Sequence, residues 1–110
     1  MHHIDQTTRA CIDACLNCYG VCQSTAMGHC LELGGAHTEK RHFTLMMACA
    51  EICRTAAHFM LIGSDHHRHV CGECAEICGQ CADDCERIGD MEVCVAACRA
   101  CAEHCRNMAA

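Results

Sequence analysis

Cysteines recur along one stretch of the chain at steps that match the turn of an α-helix. Residues 71–85 read CGECAEICGQCADDC, and their five cysteines are separated by three, four, three and four positions. At about 100° per residue, four of these thiols fall within an arc of about 60° on a helix. The stretch therefore predicts a helix that carries a stripe of sulfur on one face, about 20 Å long at the usual helical rise.

The same cysteine spacing occurs twice more. Residues 11–22 read CIDACLNCYGVC and residues 94–105 read CVAACRACAEHC, so three segments share the pattern C-x3-C-x2-C-x3-C. A further pair, Cys49 and Cys53, marks a fourth segment with a shorter stripe. Glycines at positions 34–35, 63 and 89 separate these segments. We predict helices over about residues 5–33, 38–62, 65–88 and from 90 onward, with N-caps at Asp5 or Thr7, Thr38, Ser64 or Asp65, and Asp90.

Four such helices with short connections predict an all-α fold, an antiparallel up-down-up-down four-helix bundle with a cysteine-lined core. Residues 1–110 are expected to form one domain, because this length suits a single core. The chain has 16 cysteines, no proline and 3% aromatic residues. Cysteine, alanine and methionine must therefore supply much of the interior.

Charge and hydropathy argue against several classes of function. The formal net charge is −6 and the basic residues are scattered, which argues against binding a nucleic-acid backbone. No apolar stretch is long enough to cross a membrane, and the first residues do not resemble a secretory signal. We therefore expect a cytoplasmic protein whose cysteines stay reduced, because structural disulfides are rare in that compartment.

The helical rise predicts which thiols meet. When alternate helices run up and down, the stripes align in four levels along the bundle. From top to bottom, these levels are Cys22/Cys49/Cys85/Cys94, Cys18/Cys53/Cys81/Cys98, Cys15/Ala56/Cys78/Cys101 and Cys11/Met60/Cys74/Cys105. Cys71 is expected below them, close to His66, His67 and His69, which we interpret as part of a polar loop and first helical turn.

Other residues are placed by the same argument. Above the top level, His29 continues the first stripe, whereas Cys30 lies about 100° away at its edge. His42, Met46 and Met91 are expected at the same end. Acidic residues of the third helix are interpreted as a solvated face, namely Glu73, Glu76, Asp83, Asp84 and Glu86.

Rows of thiolates favour soft metals, namely Cu(I), Zn(II) or iron–sulfur clusters. Charge favours Cu(I), because tetrahedral zinc at one ion per four thiolates leaves a large negative charge in a narrow interior. Each thiolate can bridge two Cu(I) ions, so one copper per sulfur leaves the interior near neutral. Zinc and iron–sulfur sites usually gather cysteines from loops, which an unbroken helical row does not provide.

Two alternatives to copper binding stay open at this point. The first is an iron–sulfur electron-transfer protein, and the second is a zinc-binding structural module. An enzyme is not expected, because no nucleophile–base–orienter set is apparent in the sequence.

The helical cysteine stripes, the absence of proline and the length together resemble the bacterial copper storage proteins, also called four-helix-bundle copper-binding proteins. The resemblance covers nearly the whole chain and is nearest to the cytosolic branch of that family. It implies a homotetramer that stores and buffers many Cu(I) ions on inward-facing cysteines, without catalysis. A copper chaperone or a cuproenzyme is then the expected kind of protein partner.

Two sources supply the candidate metal ligands, namely the cysteine stripes and this family resemblance. In the family the mouth of the bundle uses His and Met, and by position His29, His42, Met46 and Met91 match here. His104 is a further candidate at the lower end. The thiol candidates are all of the cysteines, namely Cys11, Cys15, Cys18, Cys22, Cys30, Cys49, Cys53, Cys71, Cys74, Cys78, Cys81, Cys85, Cys94, Cys98, Cys101 and Cys105.

Overall fold

Residues 3–110, which the computed structural model describes, form four long helices around a common core. The helices are α1 (Gln6–Thr25), α2 (Lys40–Leu61), α3 (His67–Ile88) and α4 (Glu92–Ala109). Consecutive helices pack side by side, and α4 closes the ring against α1. The body measures 48 × 22 × 19 Å. The predicted all-α, antiparallel four-helix bundle with a cysteine-lined core is confirmed.

Two helix boundaries follow the expected local signals. Asp5 caps α1, since its Oδ1 accepts a hydrogen bond from the backbone N–H of Thr8 at 2.8 Å. Gly89 ends α3 with a φ of 80°, a left-handed conformation that glycine adopts without steric cost. The local sequence therefore determines where the bundle begins and where its third helix stops.

The side chains predicted to cap the other three helices do not cap them. Thr38, Ser64, Asp65 and Asp90 each lie one or two residues upstream of the N-cap position of their helix. The N-cap positions of α2, α3 and α4 are Glu39, His66 and Met91, respectively. These predictions are wrong because the connecting turns are longer than the glycine signals indicated.

The first helix does not run regularly to residue 33 as predicted. After α1 the chain forms a π-helical turn, Ala26–Cys30, and then a short α-helical turn, Leu31–Leu33. A π turn forms i→i+5 hydrogen bonds and takes one residue more than an α turn. The additional residue returns Cys30 to the stripe of Cys22, where it is fully buried. His29 is turned outward and exposed, so both predictions for these two residues are wrong.

We expect a single-residue deletion in the π-helical turn to be tolerated. Deleting Gly28 leaves Cys30 seven residues after Cys22, a rotation of about 700° on a regular α-helix that keeps both thiols on one face. Inserting an alanine after Gly28 instead turns Cys30 by about 100° away from its neighbours. Alkylation of the native, reduced protein with iodoacetamide should label Cys30 in the insertion variant and spare it in the deletion variant.

The two variants control for each other, since both change the length of the same turn by one residue. Mass spectrometry of the peptides identifies which cysteine was labelled. Rapid labelling of Cys30 in the deletion variant would show that the π turn does not set the direction of this thiol.

Small side chains fill the interior of the bundle. All sixteen cysteines are buried, each with an exposed fraction of 1% or less. Ile12, Met46 and His42 are the largest side chains that are fully buried. A protonated cysteine behaves as a small apolar side chain, so the four helices can close around this core before any metal binds.

Candidate metal-binding core

The thiols of the four helices converge into one column of sulfur atoms along the bundle, here called the sulfur column. Neighbouring Sγ atoms lie 3.5–4.0 Å apart. The column runs from Cys11 and Cys105 at the lower end, through Cys53 and Cys101, to Cys22 near the upper end. All of these cysteines are free thiols. The helical stripes therefore do point to a shared interior, as the spacing predicts.

The predicted alignment of α1 with α4 is confirmed. The Sγ atoms of Cys15 and Cys101 are 3.6 Å apart, and those of Cys18 and Cys98 are 3.7 Å apart. Both pairs were expected to share a level. The lengths of α1 and α4 and the antiparallel direction are thus enough to fix this side of the bundle.

The predicted alignment of α2 with α3 is wrong by about one helical turn. The Sγ of Cys53 lies 3.5 Å from that of Cys78 and 3.8 Å from that of Cys74, rather than level with Cys81. Cys81 instead contacts Met46, with 3.6 Å between Sγ and Sδ. A level shared by Cys53 and Cys81 would centre the connection on residue 67, whereas the loop of residues 62–66 is centred on residue 64 and places Cys53 opposite Ala75, between Cys74 and Cys78. As a result, the thioether of Met46 joins the sulfur column.

Several groups of thiols are close enough to share one metal ion. Within each group all Sγ atoms lie within 4.8 Å of one another. These groups include Cys15/Cys74/Cys101/Cys105, Cys53/Cys74/Cys78/Cys101, Cys18/Cys49/Cys53/Cys78, Cys18/Cys22/Cys49/Cys98 and Cys11/Cys71/Cys105. Because the groups overlap in their members, a thiolate can bridge two neighbouring ions.

The sulfur–sulfur distances fit three or four ligands around each ion. A metal–thiolate bond of about 2.3 Å, the value for zinc, places four tetrahedral ligands about 3.8 Å apart, three ligands in a plane about 4.0 Å apart and two opposite ligands about 4.6 Å apart. The observed 3.5–4.0 Å between neighbouring Sγ atoms is near the first two values and well below the third. Soft ions can therefore enter the column without a large movement of the helices.

Hydrogen bonds between the thiols redistribute their protons. The hydrogen bond with Cys105 holds the pKa of Cys11 well below its usual range. Hydrogen bonds to Cys101 and Cys11 raise the pKa of Cys105 above its usual value. A hydrogen bond to Cys22, together with burial, raises the pKa of Cys94 to about 12. Some thiols therefore keep their protons at neutral pH, and a bound metal ion must displace them.

The upper end of the bundle, here called the mouth, combines three kinds of donor atom. The Sγ of Cys30 lies 3.8 Å from the Nε2 of His42 and 3.9 Å from the Sδ of Met91. Cys30 and His42 are fully buried, and Met91 is 3% exposed. Burial raises the pKa of the Cys30 thiol. One thiol, one imidazole and one thioether thus meet above the sulfur column.

A buried carboxylate, that of Asp84, contacts the imidazole of His42 on the side away from Cys30, and the sequence did not predict its burial. Asp84 is 6% exposed and does not belong to the solvated face of α3. Its Oδ2 accepts a hydrogen bond from the Nδ1 of His42 at 3.0 Å, and its Oδ1 accepts one from the Nε of Arg87 at 2.9 Å. Burial alone would raise the pKa of Asp84, but the hydrogen bonds from Arg87 and His42 lower it below its usual value. The sequence did contain one signal of this burial, because Asp84 lies three residues after Cys81 and therefore near the same face of the helix.

Two other histidines lie between His42 and the surface. His29 is exposed, and its Nε2 donates a hydrogen bond to the backbone carbonyl of Asp90 at 2.8 Å. His37 is 7% exposed, and within residues 3–110 its buried Nδ1 has no hydrogen-bond partner. Its ring centroid lies 5.4 Å from that of His29 and 6.1 Å from that of His42. Three imidazole rings thus lead from the surface to the mouth.

The histidines of the lower end stand outside the sulfur column. His104 is only partly buried and immediately precedes Cys105. His66 and His69 are exposed, and the Nδ1 of His67 hydrogen-bonds to a loop carbonyl at 2.8 Å. These contacts agree with the prediction of a polar loop and first helical turn.

The helices formed by residues 3–110 do not include one that has both the length and the hydropathy to cross a membrane.

Comparison with known proteins identifies the family. A family model described as copper storage protein matches residues 4–110. The crystal structure of the Nmul_A1745 protein from Nitrosospira multiformis shares 59% identity over 96% of each chain, with a TM-score of 0.94. The Cu(I)-bound copper storage protein BsCsp3 shares 36% identity over 96% of this chain and 100% of its own, with a TM-score of 0.87. Apo copper storage protein 3 from Bacillus subtilis shares 34% identity over 94% of this chain and 99% of its own, with a TM-score of 0.80. The chain therefore belongs to the copper storage protein family, as the cysteine stripes predicted.

Proposed function

We propose that this protein stores and buffers Cu(I), which it binds as cargo on the thiolates of its sixteen cysteines. The observation that carries the proposal is the sulfur column, in which Sγ atoms of neighbouring helices lie 3.5–4.0 Å apart. Ions placed between these atoms share thiolates, so the column accommodates a chain of ions rather than one isolated site. Residues 1–110 act as a single copper-binding domain in this proposal.

Charge balance supports Cu(I) over zinc as the cargo. A buried thiolate without a compensating charge is costly, and the column lies between helices that exclude water. One Cu(I) per thiolate gives a neutral interior, whereas zinc at one ion per four thiolates leaves half of the negative charge unbalanced. BsCsp3, a relative of similar fold, has been solved with Cu(I) bound.

The proposed ligands include more than the cysteines. His42 and Met91 join Cys30 at the mouth, and Met46 contacts two thiols of α3 inside the column. His29 and His104 are left out of this ligand set. The first is exposed with its Nε2 bonded to a carbonyl, and the second is only partly buried.

A storage role without catalysis is part of the proposal. Cys30, His42 and Asp84 do follow one another in the order of nucleophile, base and orienting carboxylate, which the sequence did not reveal. However, the Sδ of Met91 also lies 3.9 Å from the Sγ of Cys30, so Cys30, His42 and Met91 form a set of soft metal ligands. Cys30 is also fully buried. A substrate therefore has no access to this thiol.

The proposed setting is a cytoplasmic homotetramer that exchanges copper with a chaperone or a cuproenzyme. Sixteen reduced thiols at such short distances suit a reducing compartment. Apolar side chains that remain exposed on the single chain support assembly with further copies. The most exposed of them are Leu31 at 53%, Ile62 at 61% and Val93 at 70%.

An anaerobic titration of the reduced, metal-free protein with Cu(I), against a chromophoric Cu(I) chelator, tests the storage role. We expect saturation near one copper per cysteine, or about sixteen ions per chain, because neutrality of the interior sets this ratio. Protein whose thiols were alkylated after unfolding serves as the control and should bind almost no copper. Saturation after only one to four ions would contradict storage and would favour a zinc-type structural site.

A further inference from the structure

We infer that Asp84 is a positioning residue for copper at the mouth. It holds the ring of His42 so that Nε2, rather than Nδ1, faces the Sγ of Cys30, which in turn contacts the Sδ of Met91. The inference deepens the proposed function and rests on it, because it concerns Cu(I) bound at this end of the bundle.

The first step is the direction of the hydrogen bond between the two side chains. The Oδ2 of Asp84 lies 3.0 Å from the Nδ1 of His42. An ionised carboxylate can only accept, so Nδ1 must carry the hydrogen. In a neutral imidazole the other nitrogen, Nε2, then has a lone pair available for a metal ion. That nitrogen is the one that lies 3.8 Å from the Sγ of Cys30.

The second step is how Asp84 itself is held. The Nε of Arg87 donates to its Oδ1 at 2.9 Å, and the Nε of Arg41 lies 3.9 Å from the same oxygen. The two arginines reach in from the solvent, with side chains 55% and 73% exposed, whereas the Asp84 side chain is 5% exposed. A buried carboxylate without such partners would be costly. The arginines thus fix the carboxylate, and the carboxylate fixes the imidazole.

The third step is what the mouth loses without this support. A neutral His42 with its hydrogen on Nε2 would point an N–H group at Cys30 and could not ligate an ion there. Carboxylates that accept from the second nitrogen of a metal-binding histidine typically change metal affinity by about 10–100-fold. Asp84 therefore acts on one site at the mouth, while the thiol groups of the column keep their capacity.

The experiment reads the hydrogen position directly. Long-range ¹H–¹⁵N NMR of the reduced, metal-free protein labelled with ¹⁵N-histidine distinguishes Nδ1–H from Nε2–H, and His42→Gln assigns the signals of this ring. The same spectra are recorded for Asp84→Leu, for Asp84→Asn and for the control Asp83→Leu. Asp83 is the neighbouring carboxylate, but its side chain is 77% exposed and pairs with Arg99 at 3.4 Å. Cu(I) is then added, and its withdrawal by a chromophoric chelator is timed.

We expect His42 in the unchanged protein to carry its hydrogen on Nδ1, and the Nε2 signal to shift when Cu(I) binds. In Asp84→Leu the ring should populate both forms, and the most rapidly withdrawn copper should leave about 10–100-fold faster, with total capacity lowered by no more than about one ion. Asp84→Asn retains an acceptor oxygen and should restore most of the Nδ1–H form. Asp83→Leu should behave as the unchanged protein.

Several results would overturn the inference. If His42 of the wild-type protein carries its hydrogen on Nε2, the inference is wrong, and this result needs no variant, even if Asp84→Leu fails to fold. The inference is also wrong if Asp84→Leu and Asp83→Leu show the same hydrogen position on His42 and the same rate of copper withdrawal. Binding of only a few copper ions by the wild-type protein would instead refute the proposed function. Full copper capacity together with an unaltered hydrogen position on His42 in Asp84→Leu would refute only the role of Asp84.

Discussion

Replacing Cys53, Cys78 and Cys101 by alanine should remove about three copper ions from the saturated protein, because neutrality sets about one Cu(I) per thiolate. These residues belong to one four-thiol group at the centre of the column, and the Sγ of Cys53 lies 3.5 Å and 3.7 Å from those of the other two. Alanine is preferred to serine, since a buried hydroxyl without a partner costs about 1–3 kcal/mol. The anaerobic copper titration measures the capacity, and circular dichroism confirms that the bundle remains helical.

Met60→Ala is the matched control for this experiment. Met60 is 2% exposed and belongs to the same core, but it is not a thiolate. Its truncation should lower the free energy of unfolding by about 2–5 kcal/mol and leave the copper capacity unchanged. An undiminished capacity in the triple variant would mean that these central thiols pack the core without binding copper.

Loading the protein with Cu(I) should raise its unfolding temperature by tens of degrees. Each ion joins thiolates from different helices, as in the group of Cys18, Cys49 and Cys98 from α1, α2 and α4. One site held at 100 times its Kd contributes about 2.7 kcal/mol to stability. About 1 kcal/mol moves the midpoint of a domain of this size by about 4–8 °C. Thermal scans by circular dichroism under anaerobic conditions measure the shift.

The metal-free protein provides the reference for these scans and a second expectation. Its cysteines are already packed as small apolar side chains, so it should show the spectrum of a helical bundle before copper is added. Removal of copper with an excess of chelator should return the midpoint to the metal-free value. A random-coil spectrum without metal would contradict the closed apo core, and a shift of only a few degrees would contradict cross-linking by many ions.

The stripes of cysteine predicted the fold and most of the interior because they depend on helix geometry alone. The steps of three and four positions in residues 71–85 place each thiol on one face at any register of the bundle. The alignment of α1 with α4 needed only the helical rise, and the contact of Cys18 with Cys98 follows it. The part of the site that repeats along the chain was therefore predictable from the sequence.

The mouth was less predictable because its geometry depends on single residues rather than on a repeat. The π turn at Ala26–Cys30 has no marker in the sequence, and one additional residue exchanges His29 for Cys30 at the core. The burial of Asp84 depends on hydrogen bonds from His42 and Arg87, and neither of these residues belongs to a cysteine stripe. The register of α2 against α3 depends on the centre of the loop that joins them, and the predicted levels did not respect that centre.

The period of the stripes has a consequence for how such proteins can change in size. Steps of three and four positions add to seven, so each fully striped helix gains two cysteines whenever it is lengthened by one heptad. Lengthening all four helices together would add about six thiols from the three fully striped helices, all in phase with the existing ones. Storage capacity in this architecture is thus modular, and it can grow by insertion of equal segments without redesign of either end.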